Sequence, residues 1–490
     1  MTEAPQTSFP FADSGPAPAP APQDERGDAR RGRHERFDRG PRGERPPRRP
    51  DQRQDRGDRG ERPDRGDRPD RGDRGERGDR GEWGGRRGRR NRGRGQPQGG
   101  QPRREFQQPA PQGPITVTGE VRGWFDTGRD GGFVRRADSS YLAEAGDAFV
   151  PTGMMRQYGL RRGDLVEAGV GRDSRGRTVV AEIRTINGAE PSAMLTRADF
   201  QSLQASYPDR KLTLETGRPS RGAELTRRAI DLIAPIGYGQ RALIVAPARA
   251  GKTTLLHAIT EGVATNHPEA VLLILLVDER PEEVSEAQSW GVGEVISSSF
   301  DQPAQRHVEV TEIVLERARR LVELGKDVVI VLDSLTRMAR AHNTAERGTG
   351  RTLSGGLDAQ AMAKPKAFFG SARAVAPAVG GGSLTIIATA LVETGSRMDD
   401  VIFEEFKGTG NCEIKLDRSL AEKRVYPAID IATSGTRREE KLFRPDQLDA
   451  VYALRRGLSQ MPPQAAMEWL IKRIAGTPSN DALLAGLIRD

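Results

Sequence analysis

Cysteine is nearly absent from this chain of 490 residues, in which Cys412 is the only one. A single cysteine excludes an intrachain disulfide and fits a reducing compartment. No apolar run approaches the roughly 20 residues that a membrane-spanning helix needs. The N-terminus also lacks the apolar core of a signal peptide. Together these absences predict a soluble, cytoplasmic protein without a membrane partner.

Charged residues, by contrast, are abundant, and positive charge prevails. Lys and Arg number 77 against 69 Asp and Glu, which gives a formal net charge of +8. Such a balance favours an anionic partner, although a basic tail alone would also produce it. The length is sufficient for two or three domains.

Residues 1–114 differ in composition from the rest of the chain. Pro/Ala-rich sequence passes into Arg-Gly-Asp and Arg-Gly-Glu repeats, and the stretch from Gly84 to Arg104 contains no acidic residue. Because so little apolar surface cannot offset the entropy of ordering, we predict a disordered tail. Its role stays open between loose contact with single-stranded RNA and a solubilising function. The acid-free stretch favours RNA contact.

Residues 115–190 are predicted to form a small β domain. About five short strand-like segments separated by turns are typical of a small barrel. Phe133, Phe149 and Arg135 would offer a surface on which bases stack. Taken alone, the residues favour the alternative that both aromatics belong to the core. The five segments are Thr116–Phe125, Gly131–Arg135, Asp147–Val150, Asp164–Ala168 and Thr178–Arg184.

From about residue 191 onward, apolar strand-like runs alternate with helix-like segments, which predicts a parallel sheet with helices on both faces. The run that begins at Ala242 leads through a small-residue turn into Gly251-Lys252-Thr253 and a helix-like segment. That context is typical of a phosphate-binding P-loop, in which Lys252 reaches the β- and γ-phosphates and Thr253 holds Mg²⁺. Ala246 stands where the usual pattern opens with glycine.

Carboxylates follow two further apolar runs, Val271–Val277 and Asp327–Leu332. Ligands of open α/β sheets bind outside the carboxyl ends of the strands, so these acids should face the P-loop. We predict that Asp333 acts on Mg²⁺ and that Glu279 activates the attacking water. Helix capping is the alternative for both. Asp278 is a further candidate base, because neighbours on a strand point to opposite sides.

Residues 116–490 closely resemble the Rho family of bacterial transcription termination factors. The resemblance implies a RecA-like α/β P-loop ATPase core, a parallel sheet flanked by helices, from 191 to 490. An OB-fold, cold-shock-like β-barrel would precede it from 115 to 190. The strings that carry the resemblance are Arg136–Leu142, Leu243–Pro247, Ala250–Thr253, Val277–Val284, Leu332–Arg337, Gly382–Ala390, Glu404–Asn411 and Ala421–Asp430.

The same resemblance implies a homohexameric ring with ATP sites between subunits. It implies an RNA-dependent ATPase and helicase that translocates 5′ to 3′ on nascent RNA, unwinds RNA–DNA duplex and releases transcripts from RNA polymerase. The expected cofactors are ATP and Mg²⁺. The expected partners are nascent single-stranded RNA and the RNA polymerase elongation complex, with elongation factors as a further candidate.

For the nucleotide, the family's motifs match Lys252 and Thr253 at the phosphates and Mg²⁺, Glu279 as catalytic glutamate and Asp333 as Walker B acid. An alanine at the position of Ala246 is common in the family. The match also makes Arg280 a nucleotide sensor across the interface, Arg437 the arginine finger and Arg424 its assistant. The other matched nucleotide-contacting residues are Tyr426, on the adenine, and Gly237, Tyr238, Gly239, Gln240, Arg241, Ala242, Arg249, Ala250, Gly251 and Thr254.

For RNA, the match overrides the core interpretation of Phe133 and Phe149. The Gly-rich, basic segment Gly348–Gly356 is predicted to be a mobile loop, which is either a grip on a nucleic-acid strand or simply a long surface loop. The primary site on the barrel is matched by Asp130, Gly131, Gly132, Phe133, Val134, Arg135, Asp147, Ala148 and Phe149. The secondary site in the channel of the ring is matched by Thr352, Leu353, Ser354, Gly355, Gly356 and Arg397.

Four departures from the family pattern stand out. Gly131 replaces a common aromatic, so one stacking platform is missing, and Ala248-Arg249 replaces a frequent Pro-Lys. The loop Ala376–Gly380 is slightly longer than usual. The family's helical N-terminal subdomain is not evident, and the tail, which stands in its place, is a candidate to compensate for Gly131.

Two other function classes compete with this interpretation. One is a rotary-type ATPase that binds no nucleic acid. The other is an RNA-binding protein with a decayed nucleotide site, against which the intact Lys252, Glu279 and Asp333 argue.

Overall fold

The computed structural model describes residues 115–346 and 354–487. The predicted disordered tail, most of the predicted mobile loop, and Thr352 and Leu353 of the predicted secondary RNA site lie outside these ranges. In the two described ranges, no helix has the length and apolarity that crossing a bilayer requires.

The five strand-like segments of the predicted β domain close into a barrel with the strand order β1-β2-β3-β5-β4, which confirms the predicted small barrel. Alternate side chains, including Phe125, Val134 and Val150, fill its core. The first strand begins three residues later than predicted. Its bounds and those of the other elements are β1 (Gly119–Thr127), β2 (Gly131–Arg135), β3 (Ala148–Pro151), α1 (Thr152–Tyr158), β4 (Leu165–Arg172) and β5 (Thr178–Ile186).

The second half of the described chain is built on one large sheet, whose main path runs β14-β13-β7-β12-β10-β8-β9. The strands β13, β7, β12, β10, β8 and β9 are parallel to one another. This confirms the predicted parallel sheet. The strands are β6 (Ala205–Ser206), β7 (Arg241–Pro247), β8 (Val271–Glu279), β9 (Glu294–Ser299), β10 (Asp327–Asp333), β11 (Arg373–Val375), β12 (Ser383–Val392), β13 (Cys412–Lys415) and β14 (Gly435–Thr436).

Helices cover both faces of this sheet, and each face has its own hydrophobic core. Successive residues of β7, such as Ile244 and Val245, enter opposite cores, which is why the central strands are apolar without interruption. The helices are α2 (Ala223–Ile233), α3 (Lys252–Asn266), α4 (Pro281–Ser289), α5 (Ala304–Glu323), α6 (Leu335–Ala345), α7 (Ala363–Gly370), α8 (Arg397–Lys407), α9 (Arg418–Glu422), α10 (Pro445–Ser459), α11 (Pro463–Ala475) and α12 (Asn480–Leu487).

A buried ion cluster fixes the barrel to the sheet domain. Asp164, from the turn before β4, accepts a hydrogen bond of 2.6 Å from Nη2 of Arg197, which lies in the connection between the domains. The Arg197 Nε atom lies 3.7 Å from an oxygen of Glu323 at the end of α5. The side chains of Asp164 and Glu323 are fully buried, and that of Arg197 is 3% exposed. A single arginine thus joins an acid of each domain.

Replacing Arg197→Met should therefore destabilise the protein strongly. The substitution leaves Asp164 buried without its cation, and removal of one partner of a buried pair typically costs about 3–5 kcal/mol. The midpoint of urea unfolding measures the loss. Arg184→Met, which breaks an exposed pair with Glu120 on the barrel surface, is the matched control and should leave the midpoint nearly unchanged. Equal shifts for both variants would contradict the assignment.

Candidate nucleotide and RNA sites

The P-loop lies between the end of β7 at Pro247 and the start of α3 at Lys252. Gly251, the N-cap of α3, has φ 93°, in the left-handed region that favours glycine. Arg249 shares that region with φ 63° and is exposed. A Cβ on Gly251 would lie 3.5 Å from the ring of Tyr426, so this aromatic flanks the loop. The free N–H groups of the helix start and the adjacent ring form a cradle for a nucleotide.

Lys252 is the centre of an ion cluster at this edge of the sheet. Its Nζ lies 2.6 Å from Oδ2 of Asp333 and 3.1 Å from Oε1 of Glu279. A third carboxylate, Glu283, lies 4.0 Å away. One ligand atom from each acid falls within 4.8 Å of the others, and Thr253 lines the same small pocket. Oxygen ligands so grouped fit a Mg²⁺ ion.

The structure settles what the sequence left open about these acids. Ser334, not Asp333, caps α6, because its hydroxyl accepts the N–H of Arg337. Asp333 instead accepts a hydrogen bond of 2.7 Å from Thr389 on β12. No side-chain hydrogen bond caps α4, which follows Glu279. Helix capping is therefore not the role of either carboxylate.

Asp278 and Glu279 point in different directions. Glu279 is 1% exposed and faces Lys252, whereas Asp278 adopts φ 57° and its carboxylate lies 3.9 Å from Nε2 of His307. Burial, and then the charge of Asp333, raise the pKa of Glu279 to about 7, against the opposing charges of Lys252 and Arg337. A carboxylate with a pKa near neutrality is suited to proton transfer.

Arg437 does not lie at this crevice. Its N–H donates to the carbonyl of Asn411, and the N–H of Asn411 donates to the carbonyl of Arg241 at the start of β7. The P-loop follows the other end of β7, which is about 20 Å away at ~3.3 Å per residue. The exposed Arg437 therefore cannot reach the P-loop of its own chain.

The segment Gly237–Ala242 lies at the same end of β7 as Arg437. Tyr238, Gln240 and Ala242 are buried within the subunit, and the Gln240 amide donates to Asn411 at 2.7 Å. The structure does not bring this predicted nucleotide-contacting segment to the P-loop of its own chain.

Two predicted arginines lie on the P-loop side. Arg280, 64% exposed, precedes α4 and donates to Glu283 at 3.3 Å. Arg424 is exposed and stands two residues before Tyr426. Glu283 was not predicted. The signal was its place four residues after Glu279, in the first turn of a helix that begins at Pro281.

On the barrel, Phe133 and Phe149 face each other across β2 and β3, with ring centroids 5.6 Å apart. Both are half-buried, while their neighbours Val134 and Val150 fill the core. The core interpretation of these aromatics is therefore wrong. The guanidinium of Arg135 lies 4.8 Å from the Phe133 centroid, and its Nη1 bonds Asp147 at 2.8 Å.

Arg177 is a residue of this face that sequence reasoning missed. Its guanidinium lies 5.0 Å from the centroid of Phe149, and it is held by Asp173 at 2.9 Å. The available signal was the Arg-Gly-Arg turn between β4 and β5. Two aromatic rings with two arginines over them are the arrangement on which bases stack.

Gly131 lies so close to Phe149 that the position has no room for a side chain. A Cβ at Gly131 would lie 2.6 Å from the ring of Phe149 and 2.7 Å from the carbonyl oxygen of Val150. The ring of Phe149 therefore covers the position where the expected aromatic is missing.

The residues of the predicted secondary RNA site that the structure describes, Ser354–Gly356 and Arg397, lie close together. Gly355 has φ 79°, and a Cβ there would lie 2.6 Å from the backbone N of Met398. Ser354–Gly356 thus packs on the start of α8, where Arg397 is exposed.

Comparisons with known proteins agree with both halves of this geometry. Residues 121–192 match the Rho termination factor, RNA-binding domain, and residues 226–436 match the ATP synthase alpha/beta family, nucleotide-binding domain. The transcription termination factor Rho of Gemmatimonas aurantiaca is 73% identical over 381 residues, 78% of this chain and 52% of that protein. That of Chromobacterium violaceum is 51% identical over 73% of this chain and 85% of its own length.

This chain belongs to the Rho family of transcription termination factors. The chain spans about half the length of the Gemmatimonas relative. The Rho RNA-binding domain coincides with the barrel, and the nucleotide-binding domain runs from within α2 to the end of β14.

For this Rho-family barrel, Phe149→Ala should weaken binding of single-stranded RNA by about 5- to 150-fold, the equivalent of ~1–3 kcal/mol for one stacked base. Gly131→Phe should also weaken binding, because its Cβ displaces the ring of Phe149. Fluorescence anisotropy with a labelled cytidine-rich RNA at fixed salt measures both. Val117→Ala, an exposed barrel position, is the control. Tighter binding by Gly131→Phe would show that the Phe149 ring does not fill the missing position.

Proposed function

We propose that this protein terminates transcription as an RNA-dependent ATPase that moves 5′ to 3′ along nascent RNA. It unwinds RNA–DNA duplex and releases the transcript from RNA polymerase in the cytoplasm. The observation that carries this function is the union of two sites in one chain. A barrel with paired aromatics for RNA is fixed to a P-loop whose lysine meets two strand-end carboxylates.

The nucleotide is ATP with Mg²⁺. Lys252 leaves its carboxylate partners for the β- and γ-phosphates, the N–H groups from Arg249 to Thr254 surround them, and Tyr426 packs on the adenine. Thr253 and Asp333 would hold Mg²⁺, which would supply positive charge to the transferring phosphoryl group. Glu279 orients the attacking water and accepts its proton.

The position of Arg437 supports a ring. Positive charge at the transition state is needed for phosphoryl transfer, and Arg437 lies at the opposite end of β7 from the P-loop of its own chain. A neighbouring subunit must therefore supply it, with Arg280 and Arg424 on the P-loop side of the contact. Such a head-to-tail contact closes into a ring, here a homohexamer.

The RNA sites fit the same assembly. The barrel carries the primary site, and Ser354–Gly356 with Arg397 form part of the secondary site in the channel. Strand β12 links this second site to the nucleotide site, because Thr389 bonds Asp333 and the N–H of Leu391 donates to Thr336 on α6. Arg397 follows β12 by five residues.

Glu279→Ala should retain ATP binding while lowering turnover by orders of magnitude, because the water loses its base. In the unsubstituted protein, kcat/KM for ATP should fall about tenfold per unit as pH drops below ~7, where Glu279 becomes protonated. Steady-state hydrolysis and binding of a fluorescent ATP analogue measure the two effects. Glu282→Ala, at an exposed position of α4, is the matched control and should leave turnover unchanged. Near-normal turnover of Glu279→Ala would transfer the role to Asp278.

Cytidine-rich RNA should stimulate ATP hydrolysis, whereas a rotary-type ATPase would not respond to it. Lys252→Ala and Arg437→Ala should each be inactive alone, because each spoils every interface of a ring. A mixture of the two should regain part of the activity, since about a quarter of randomly formed interfaces would be complete. Inactivity of the mixture, with subunit exchange verified, would contradict the arginine finger. Absence of RNA stimulation would contradict the function.

A further inference from the structure

Glu283 is a third carboxylate beside the predicted catalytic and metal acids. It lies in the first turn of α4, with its side chain 27% exposed. Its two oxygens face different cations. Oε2 lies 4.0 Å from Nζ of Lys252, and Oε1 accepts a hydrogen bond of 3.3 Å from Nη1 of Arg280. Glu283 therefore bridges the phosphate-binding lysine and an arginine on the surface of the subunit.

The acids around the P-loop lysine share a small number of cations. Three carboxylates, Glu279, Glu283 and Asp333, share Lys252. Arg337 lies 3.3 Å from the second oxygen of Glu279, and Arg280 pairs with Glu283. Arg337 also lies 3.6 Å from Asp278, so four acids share three cations. Because the site is partly buried, the loss of one cation is felt strongly by the remaining charges.

When Lys252 turns to the phosphates of a bound nucleotide, Asp333 would hold Mg²⁺ in its place, whereas Glu283 loses its nearby lysine. Arg337 still pairs with Glu279 after Lys252 has turned away. Among the residues that the structure describes, Arg280 is then the cation that pairs with Glu283. A charge-assisted hydrogen bond to this carboxylate then restrains an arginine that is otherwise 64% exposed and free to change rotamer. The state of Lys252 thereby affects the position of Arg280.

We propose that Glu283 is a positioning residue that ties Arg280 to the occupancy of the nucleotide site in its own subunit. This inference rests on the proposed function, in which Arg280 serves hydrolysis at the subunit interface. Glu283 touches neither the nucleotide nor the attacking water in this role. It acts through Arg280.

An ordinary role for Glu283 must be separated from this one. Its pair with Arg280 has i,i+3 spacing, which also stabilises isolated helices. A purely helix-stabilising pair would alter the unfolding midpoint of the protein, but it would not act on turnover through Arg280. A residue that directly supports Lys252 would instead alter the affinity for ATP.

The test compares Glu283→Gln with Glu282→Gln, the same change at the exposed neighbouring position of α4. We expect Glu283→Gln to lower kcat of RNA-stimulated hydrolysis about tenfold, with the Kd of an ATP analogue within about twofold of the unsubstituted value. Glu282→Gln should match the unsubstituted protein. Glu283→Asp, which keeps the charge, should recover part of kcat.

A double-mutant cycle with Arg280→Gln decides through which residue Glu283 acts. If the inference is correct, Arg280→Gln with Glu283→Gln is no slower than Arg280→Gln alone, because the two residues act as one unit. The inference would be overturned if the losses in kcat of the two single variants multiply in the double variant. An unchanged kcat in Glu283→Gln, or weaker ATP binding instead of a lower kcat, would also overturn it. Failure of the unsubstituted protein and Glu282→Gln to hydrolyse ATP with RNA would instead overturn the proposed function.

Discussion

The attraction between Lys252 and the carboxylates at two strand ends is the interaction on which the site depends. Glu279 and Asp333 are 1% and 4% exposed, and such charges persist inside a protein only when they are paired. The parallel sheet brings them to one lysine, because β8 and β10 are adjacent and both end at the edge where β7 enters the P-loop. Burial still raises the pKa of Glu279 to about 7, so Lys252 offsets only part of the cost of burying these carboxylates.

A parallel sheet has two different edges, and this chain uses both. The P-loop, Glu279 and Asp333 lie at the carboxyl ends of the strands, whereas Arg437 lies beside the start of β7. One chain cannot bring these two ends of its own sheet together, so the proposed arginine finger must come from another chain. The proposed head-to-tail ring rests on this direction of the strands.

Much of this arrangement was predictable, for physical reasons that differ between residues. Uninterrupted apolar runs such as Val271–Val277 indicate buried parallel strands. Acids directly after such strands must lie at the carboxyl ends of the sheet. Alternation alone could not choose which of Asp278 and Glu279 faces the P-loop, because the left-handed φ of Asp278 and a register shift between β8 and β9 reorient the backbone there. Glu283 was missed because it lies on a helix, and its approach to Lys252 depends on how α4 packs. The burial of Tyr238 and Gln240 likewise reflects tertiary packing.

The RNA-facing barrel shows why a departure from a family pattern has to be judged in three dimensions. In the sequence, Gly131 stands where the family commonly has an aromatic residue, which predicts one stacking ring fewer. In the structure the ring of Phe149 already occupies the space a side chain would need, and Arg177 lies over the same ring. The face therefore keeps two aromatic rings, Phe133 and Phe149, each with an arginine. Glycine at position 131 leaves the space in which the ring of Phe149 lies against the strand.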